Sequence, residues 1–178
     1  MAPLADRVTV NLTPLEIAER QIDRAITLFL DDADYISAST LAGAAEGIIG
    51  DLLRRGGRPY ALDDIVKGAM ALTKEMDPSD SSKRKDYIAF VNDFRDRLKH
   101  LKSGETLHCS VDYEAACLID RAMDNYFNLT ESETETMLRF RRFNYFEIET
   151  GQPKQCIGAA AEPAPIKEKL PSEMLREK

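Results

Sequence analysis

The apolar residues of this chain recur at helical spacing, and almost no stretch alternates apolar and polar residues as a half-buried strand would. Turn residues divide the chain into segments of helical length. The pattern therefore predicts an all-α fold. We expect a bundle of five or six helices over about residues 13–148, followed by a C-terminal tail.

Local signals fix where the predicted helices begin and end. Thr13-Pro14-Leu15-Glu16 combines a capping Thr, a Pro at the first helical position and a Glu at the third, which is typical of a helix start. The next helix is predicted to end at Gly56-Gly57. The later helices are predicted over 62–76, over about 83–102, from a cap at Asp112 to Leu129, and from a capping box at Thr130 and Glu133 onward.

The composition changes after residue 150. Residues 151–178 contain four of the eight prolines of the chain, in a background rich in Ala, Glu and Lys. Such a segment buries too little apolar surface to order by itself. We therefore expect a helical domain over 1–150 and a tail over 151–178 that orders only against a partner.

The second helix carries a stripe of small residues, Ser39, Gly43, Gly47 and Gly50, at spacings of four, four and three. Each glycine costs about 1 kcal/mol of helix propensity relative to alanine, so we expect the stripe to let another backbone approach closely. That neighbour is either a helix of the same bundle or a second copy of the chain. Glu46 lies beside the stripe and, if buried, needs a cationic partner.

Composition and charge narrow the classes of function. The chain has 178 residues, a net charge of -7 and three cysteines, with no Cys-x-x-Cys pair. These features favour a cytoplasmic protein with reduced thiols and no general affinity for polyanions. We also expect no cofactor. The apolar runs look too short to cross a bilayer, so we expect no membrane association.

The fourth helix is the most informative segment. On a helical wheel its apolar side chains share one side, which predicts the core face: Tyr87, Phe90, Val91, Phe94, Leu98 and Leu101. Asn92, Asp96 and His100 fall on the other side, with Arg95 and Lys99 beside them. We therefore expect this polar set to face away from the core.

The same helix is basic within an acidic chain. Residues 83–102 contain seven Lys and Arg against three Asp. An imidazole titrates near neutral pH and a guanidinium can hold a phosphate through two hydrogen bonds. His100 and Arg95 would together be the minimum equipment for metal-independent RNA cleavage, with His100 as the base at the 2′-hydroxyl.

Arg95-Asp96-x-x-x-His100 resembles the Arg-x(4–6)-His signature of the HEPN superfamily, in which a polar residue follows the Arg. HEPN proteins are small helical bundles, and many are toxin, defence or RNA-processing ribonucleases whose site forms at a dimer interface. The resemblance implies a homodimer with Arg95 and His100 as the catalytic pair and Asp96 as the polar residue that orients or pairs with them. Segments 41–46 and 95–100 together also resemble small bacterial helical proteins with no assigned activity.

Lys99, Lys102 and Asn92 complete the candidate site as binding residues for RNA or for a protein partner. The competing hypothesis is a non-catalytic interaction or regulatory protein that uses the same outward face. Two other patterns are weaker candidates for a functional site. His100, His108, Cys109 and Cys117 have no common metal-ligand spacing, and Met137, Phe140 and Phe143 are expected to be core, with the neighbouring arginines in solvent.

Overall fold

The computed structural model describes residues 9–72 and 81–145, and these residues form an all-α fold. Its helices are α1 (Pro14–Leu30), α2 (Tyr35–Arg55), α3 (Ala61–Leu72), α4 (Ser81–His100), α5 (Val111–Thr130) and α6 (Glu135–Phe143). The predicted fold class is confirmed. The predicted tail, 151–178, and the predicted end of the third helix at residue 76 lie outside the described residues.

Side-chain caps determine several helix ends. Thr13 Oγ1 accepts a hydrogen bond from the Glu16 amide at 3.2 Å, and the Glu16 carboxylate accepts one from the Thr13 amide at 2.7 Å. This is the predicted capping box. At α2, Asp34 Oδ1 accepts from the Ser37 amide at 3.0 Å. Each cap satisfies backbone donors that have no partner inside the helix.

Two predicted caps are wrong. Thr130 belongs to the last turn of α5 and donates back to the Tyr126 carbonyl at 2.8 Å, while Thr134 caps α6 by accepting from the Met137 amide at 3.2 Å. Asp112 lies inside the first turn of α5 and accepts from the Tyr145 hydroxyl at 2.8 Å. Both segments contain several residues able to cap, so the sequence pattern alone chose the wrong one.

The main core lies where α2 packs against both α1 and α5, with α6 closing one side. Its largest fully buried side chains are Ile22, Ile26, Ile49, Leu53, Ile119, Met123 and Met137. A second, smaller cluster joins α3 to the first half of α4 and consists of Leu62, Val66 and Met70 with Tyr60, Tyr87, Ile88 and Val91 packed on it. α4 therefore bridges the two clusters.

α2 is also the one described helix that is long and apolar enough to cross a membrane, with a mean hydropathy of 1.2 over its best window. The expectation that every apolar run is too short is wrong by this measure. The same property belongs to a central core helix, and half of that window is buried in the bundle. The observation is therefore weak evidence for a membrane span.

The predicted orientation of α4 is wrong in part. Phe94 is buried, and Tyr87, Val91 and Leu98 pack against the two clusters as expected. Phe90, however, is 79% exposed and Leu101 is 42% exposed, while Asn92 is only 5% exposed. The buried arc of the helix is turned from Phe90 toward Asn92 and Arg95.

This orientation predicts opposite effects for two phenylalanines four residues apart. Phe94→Ala should lower the free energy of unfolding by about 3–5 kcal/mol because it leaves a cavity in the main core. Phe90→Ala should change it by no more than about 0.5 kcal/mol because the ring packs on little. Urea unfolding of both variants checks this, and equal losses would contradict the described orientation.

Candidate functional site on helix α4

Glu46, in the middle of α2, is a buried carboxylate shared by two arginines. Its side chain is 3% exposed. Arg121 of α5 donates to Glu46 Oε1 from Nε at 3.0 Å and also from Nη2, and Arg95 of α4 donates to Oε2 from Nη1 at 2.9 Å. The prediction that a buried Glu46 needs a cationic partner is confirmed, with two partners.

Arg121 extends this contact to the backbone of α4. Its Nη1 donates to the Val91 carbonyl at 3.3 Å, and its Nη2 donates to Asn92 Oδ1 at 3.0 Å. The side chain of Arg121 is 6% exposed. One guanidinium therefore connects α5 to both α2 and α4. It also gives the amide oxygen of Asn92 a hydrogen-bond donor, which lets this polar side chain be buried.

The small-residue stripe of α2 has a use that differs from the prediction. A Cβ atom on Gly43 would lie 3.1 Å from both Cγ and Cδ of Arg95. At Gly43 the stripe thus makes room for the aliphatic stem of Arg95 and not for another backbone. Gly47 is exposed with open space beside it, and Gly50 faces the ring of Tyr60.

The predicted outward position of Arg95 is consequently wrong. Its side chain is only 20% exposed and points toward α2, because Glu46 supplies the charge that compensates its burial. Asp96 does contact Arg95, as predicted: its Oδ1 accepts from Arg95 Nε at 3.3 Å, and the Asp96 side chain is 55% exposed. Two of the donor groups of Arg95 are therefore engaged by carboxylates.

His100 lies elsewhere. It is the last residue of α4 and is exposed, as are Lys99 and Lys102. Residues five apart on an ideal helix are separated by about 140°, so Arg95 reaches inward while His100 faces solvent. The structure does not bring the predicted catalytic pair together.

The positive charge of α4 is partly used inside the fold. Arg84 forms an ion pair with Asp63 of α3, and Arg95 forms one with Glu46. The count of cations along the sequence therefore overstates the positive charge that α4 presents to solvent. On α5, burial raises the pKa of the Glu114 carboxyl, while the charge of Arg121 opposes this rise.

The arginines of α6 are likewise committed. Arg141 donates to Glu133 at 2.8 Å, to Asp124 at 2.9 Å and to Asp120 at 3.2 Å, which clamps α6 to α5. Arg139 pairs with Asp31 and Arg142 with Glu135. Of the three predicted core residues, Met137 and Phe140 are buried, whereas Phe143 is 42% exposed.

The described ranges give little support for a metal site or a reactive thiol. They contain no group of three or more His, Cys, Asp or Glu side chains placed to hold a metal ion. Burial raises the pKa of the Cys117 thiol to about 12, so it stays protonated at neutral pH. A pocket of about 170 Å³ between α3 and α5 is lined by Asp64, Asp120, Arg121, Asp124 and Phe127 among others.

Arg121 is the site residue that the sequence analysis missed. A signal was present, because Asp120-Arg121 interrupts an otherwise apolar helix segment, Leu118-Ile119 and Ala122-Met123. A charged residue that is buried by its neighbours requires a partner of opposite charge.

No protein-family model, no curated protein and no solved structure matches this chain.

Two glycines of α2 test how tightly Arg95 is held. Gly47→Ala should raise the free energy of unfolding by roughly 0.5–1 kcal/mol, because alanine favours the helix and the site is open. Gly43→Ala gains the same propensity but pushes against a stem anchored by Glu46. It should therefore be less stable than Gly47→Ala by at least about 1 kcal/mol. Chemical denaturation measures both, and equal stability would contradict the close packing of Arg95.

Proposed function

We propose that this chain is a non-catalytic helical interaction protein, in which the buried part of the Arg-Asp-x-x-x-His motif has a structural role. The observation that carries the proposal is the ion pair between Arg95 and the buried Glu46. A phosphate would have to displace a carboxylate that already satisfies the guanidinium. It would also approach Asp96, which repels it.

The ribonuclease hypothesis, which rests on the HEPN resemblance, requires more than an exposed histidine. A general base and a cation must act on the same phosphate within hydrogen-bond reach. His100 meets the requirement for exposure, but Arg95 is held on another face. Lys99 and Lys102 are exposed cations near His100 that bind anions without the two-pronged geometry of an arginine.

The face that α4 offers to solvent suits an interaction protein. Phe90 is 79% exposed in the middle of this helix. Large aromatic side chains surrounded by polar residues are frequent anchors of protein interfaces. A cytoplasmic location and a homodimer stay predictions from the sequence.

The test compares RNA cleavage by the purified protein with cleavage by His100→Ala, in the presence of a chelator. We expect no cleavage above background by either protein across single-stranded and structured RNAs. A matched control, His108→Ala, replaces the other histidine, which is also exposed. Cleavage that is lost in His100→Ala and kept in His108→Ala, at unchanged stability, would overturn the proposal in favour of the ribonuclease.

A further inference from the structure

The side of α2 that faces away from the core carries no charged side chain over about three and a half turns. Seven residues within about 80° of Ala44 around the helix form this side, and each is exposed or half-buried: Ile36, Ser37, Thr40, Leu41, Ala44, Gly47 and Ile48. We call these seven residues the open arc. The one charged residue between positions 36 and 50 is Glu46, which is buried. Because 31% of the chain is charged, so long a surface without a charge is unusual.

α2 is also more apolar than its packing in the bundle requires. Its most apolar window has a mean hydropathy of 1.2, yet only half of that window is buried, and Ile36 is 50% exposed. Gly47 weakens the helix relative to alanine, and a Cβ atom there would meet nothing within 4 Å. Gly43, by contrast, makes room for Arg95. A helix from outside the chain can therefore approach α2 closely at Gly47.

The charges at the two ends of α2 indicate which partner fits the open arc. Residues 31–34 contain three aspartates and no cation, whereas residues 51–58 contain three arginines and one aspartate. The side chains of Asp32 and Arg55 are 49% and 78% exposed, so their surface ion pairs within the chain leave both accessible. A second α2 that runs antiparallel places its basic end beside the acidic end of the first, and symmetry repeats this contact. The arc and its two ends are therefore self-complementary.

Other occupants fit less well. An anionic lipid surface would be repelled by the acidic end of α2 and by the net charge of -7. A different protein would have to present an uncharged helix face with opposite charges at its two ends. A second copy of this chain already presents that surface.

We propose that two copies of this chain associate through the open arc of α2, with the two helices antiparallel and the two-fold axis beside Ala44. This inference rests on the proposed interaction function and names its partner. In this register Arg55 lies opposite the turn 31–34 of the second copy, and Ser37 lies opposite its second basic-end segment around position 51. The open arc is about 18 Å long and buries less than the roughly 800 Å² per partner of a standard interface, so we expect a dissociation constant in the micromolar range.

The first test is sedimentation velocity of the full chain from low micromolar to several hundred micromolar concentration. We expect a reversible equilibrium between monomer and dimer. Thr40→Arg places a charge near the centre of the open arc and should weaken association by about tenfold or more. Ala89→Arg, a matched change at an exposed residue of α4, should leave association unchanged. Urea unfolding of each variant separates lost association from lost folding.

Charge reversal tests the antiparallel direction. Asp32→Arg and Arg55→Glu should each weaken association by about threefold or more, because like charges then meet at both ends of the contact. The double variant Asp32→Arg/Arg55→Glu should recover most of the lost affinity, because each end meets an opposite charge again.

Cysteine crosslinking tests the position of the axis in a chain that carries Cys109→Ser and Cys156→Ser. Ala44→Cys should form a disulfide between two copies on mild oxidation. Thr40→Cys should not, because antiparallel packing around Ala44 separates its two copies by about 12 Å along the helix axes.

Several outcomes would overturn the inference. These are a monomer at every concentration, a dimer that withstands Thr40→Arg, a dimer lost in Ala89→Arg, or a crosslink through Thr40→Cys and not Ala44→Cys. Binding to phosphatidylcholine vesicles that Thr40→Arg abolishes, in place of dimer formation, would also overturn it. The cleavage assay with His100→Ala reads the proposed function separately: cleavage by an intact dimer overturns that proposal alone, and a monomer without cleavage overturns this inference alone.

Discussion

The packing of α4 depends on one buried carboxylate, Glu46, which is held between two guanidiniums from different helices. A lone carboxylate at 3% exposure would be strongly unfavourable, and so would either arginine without it. Because Arg95 comes from α4 and Arg121 from α5, the ion pairs join three helices at one point. Arg121 then uses its remaining donors on the Val91 carbonyl and on Asn92.

This arrangement gives the Arg-Asp-x-x-x-His motif two separate parts. Arg95 is bound into the fold, with its stem against Gly43. His100 remains exposed at the end of the helix, beside Lys99. A motif that looks catalytic along the sequence is thereby divided between an interior contact and a surface. Phe90, in the middle of the same helix, is also exposed.

Much of the fold was predictable, and the errors about the orientation of α4 have a common physical origin. Helix positions follow from apolar spacing and from local signals such as the Thr13–Glu16 capping box. The face of α4 did not follow, because a wheel that counts apolar residues places every charge in solvent. Burial of Arg95 depends on Glu46, 49 positions away, and on the space that the absent side chain of Gly43 leaves for the Arg95 stem. Long-range charge compensation of this kind has no local signature. The sequence does show that Glu46 and Arg121 each stand among apolar residues of a helix, which indicates that each needs a partner of opposite charge if it is buried.

The central claim is that Glu46 and Arg95 stabilise the fold as a pair, and a double-mutant cycle tests it most directly. Free energies of unfolding would be measured for the wild type, Glu46→Gln, Arg95→Met and the double variant. The structure predicts that Glu46→Gln alone costs about 3 kcal/mol or more. It also predicts a favourable coupling between the two sites of about 1–3 kcal/mol. If the losses in free energy of unfolding simply add, with no coupling, the result would contradict a stabilising ion pair between Glu46 and Arg95. Arg95 would then need another role.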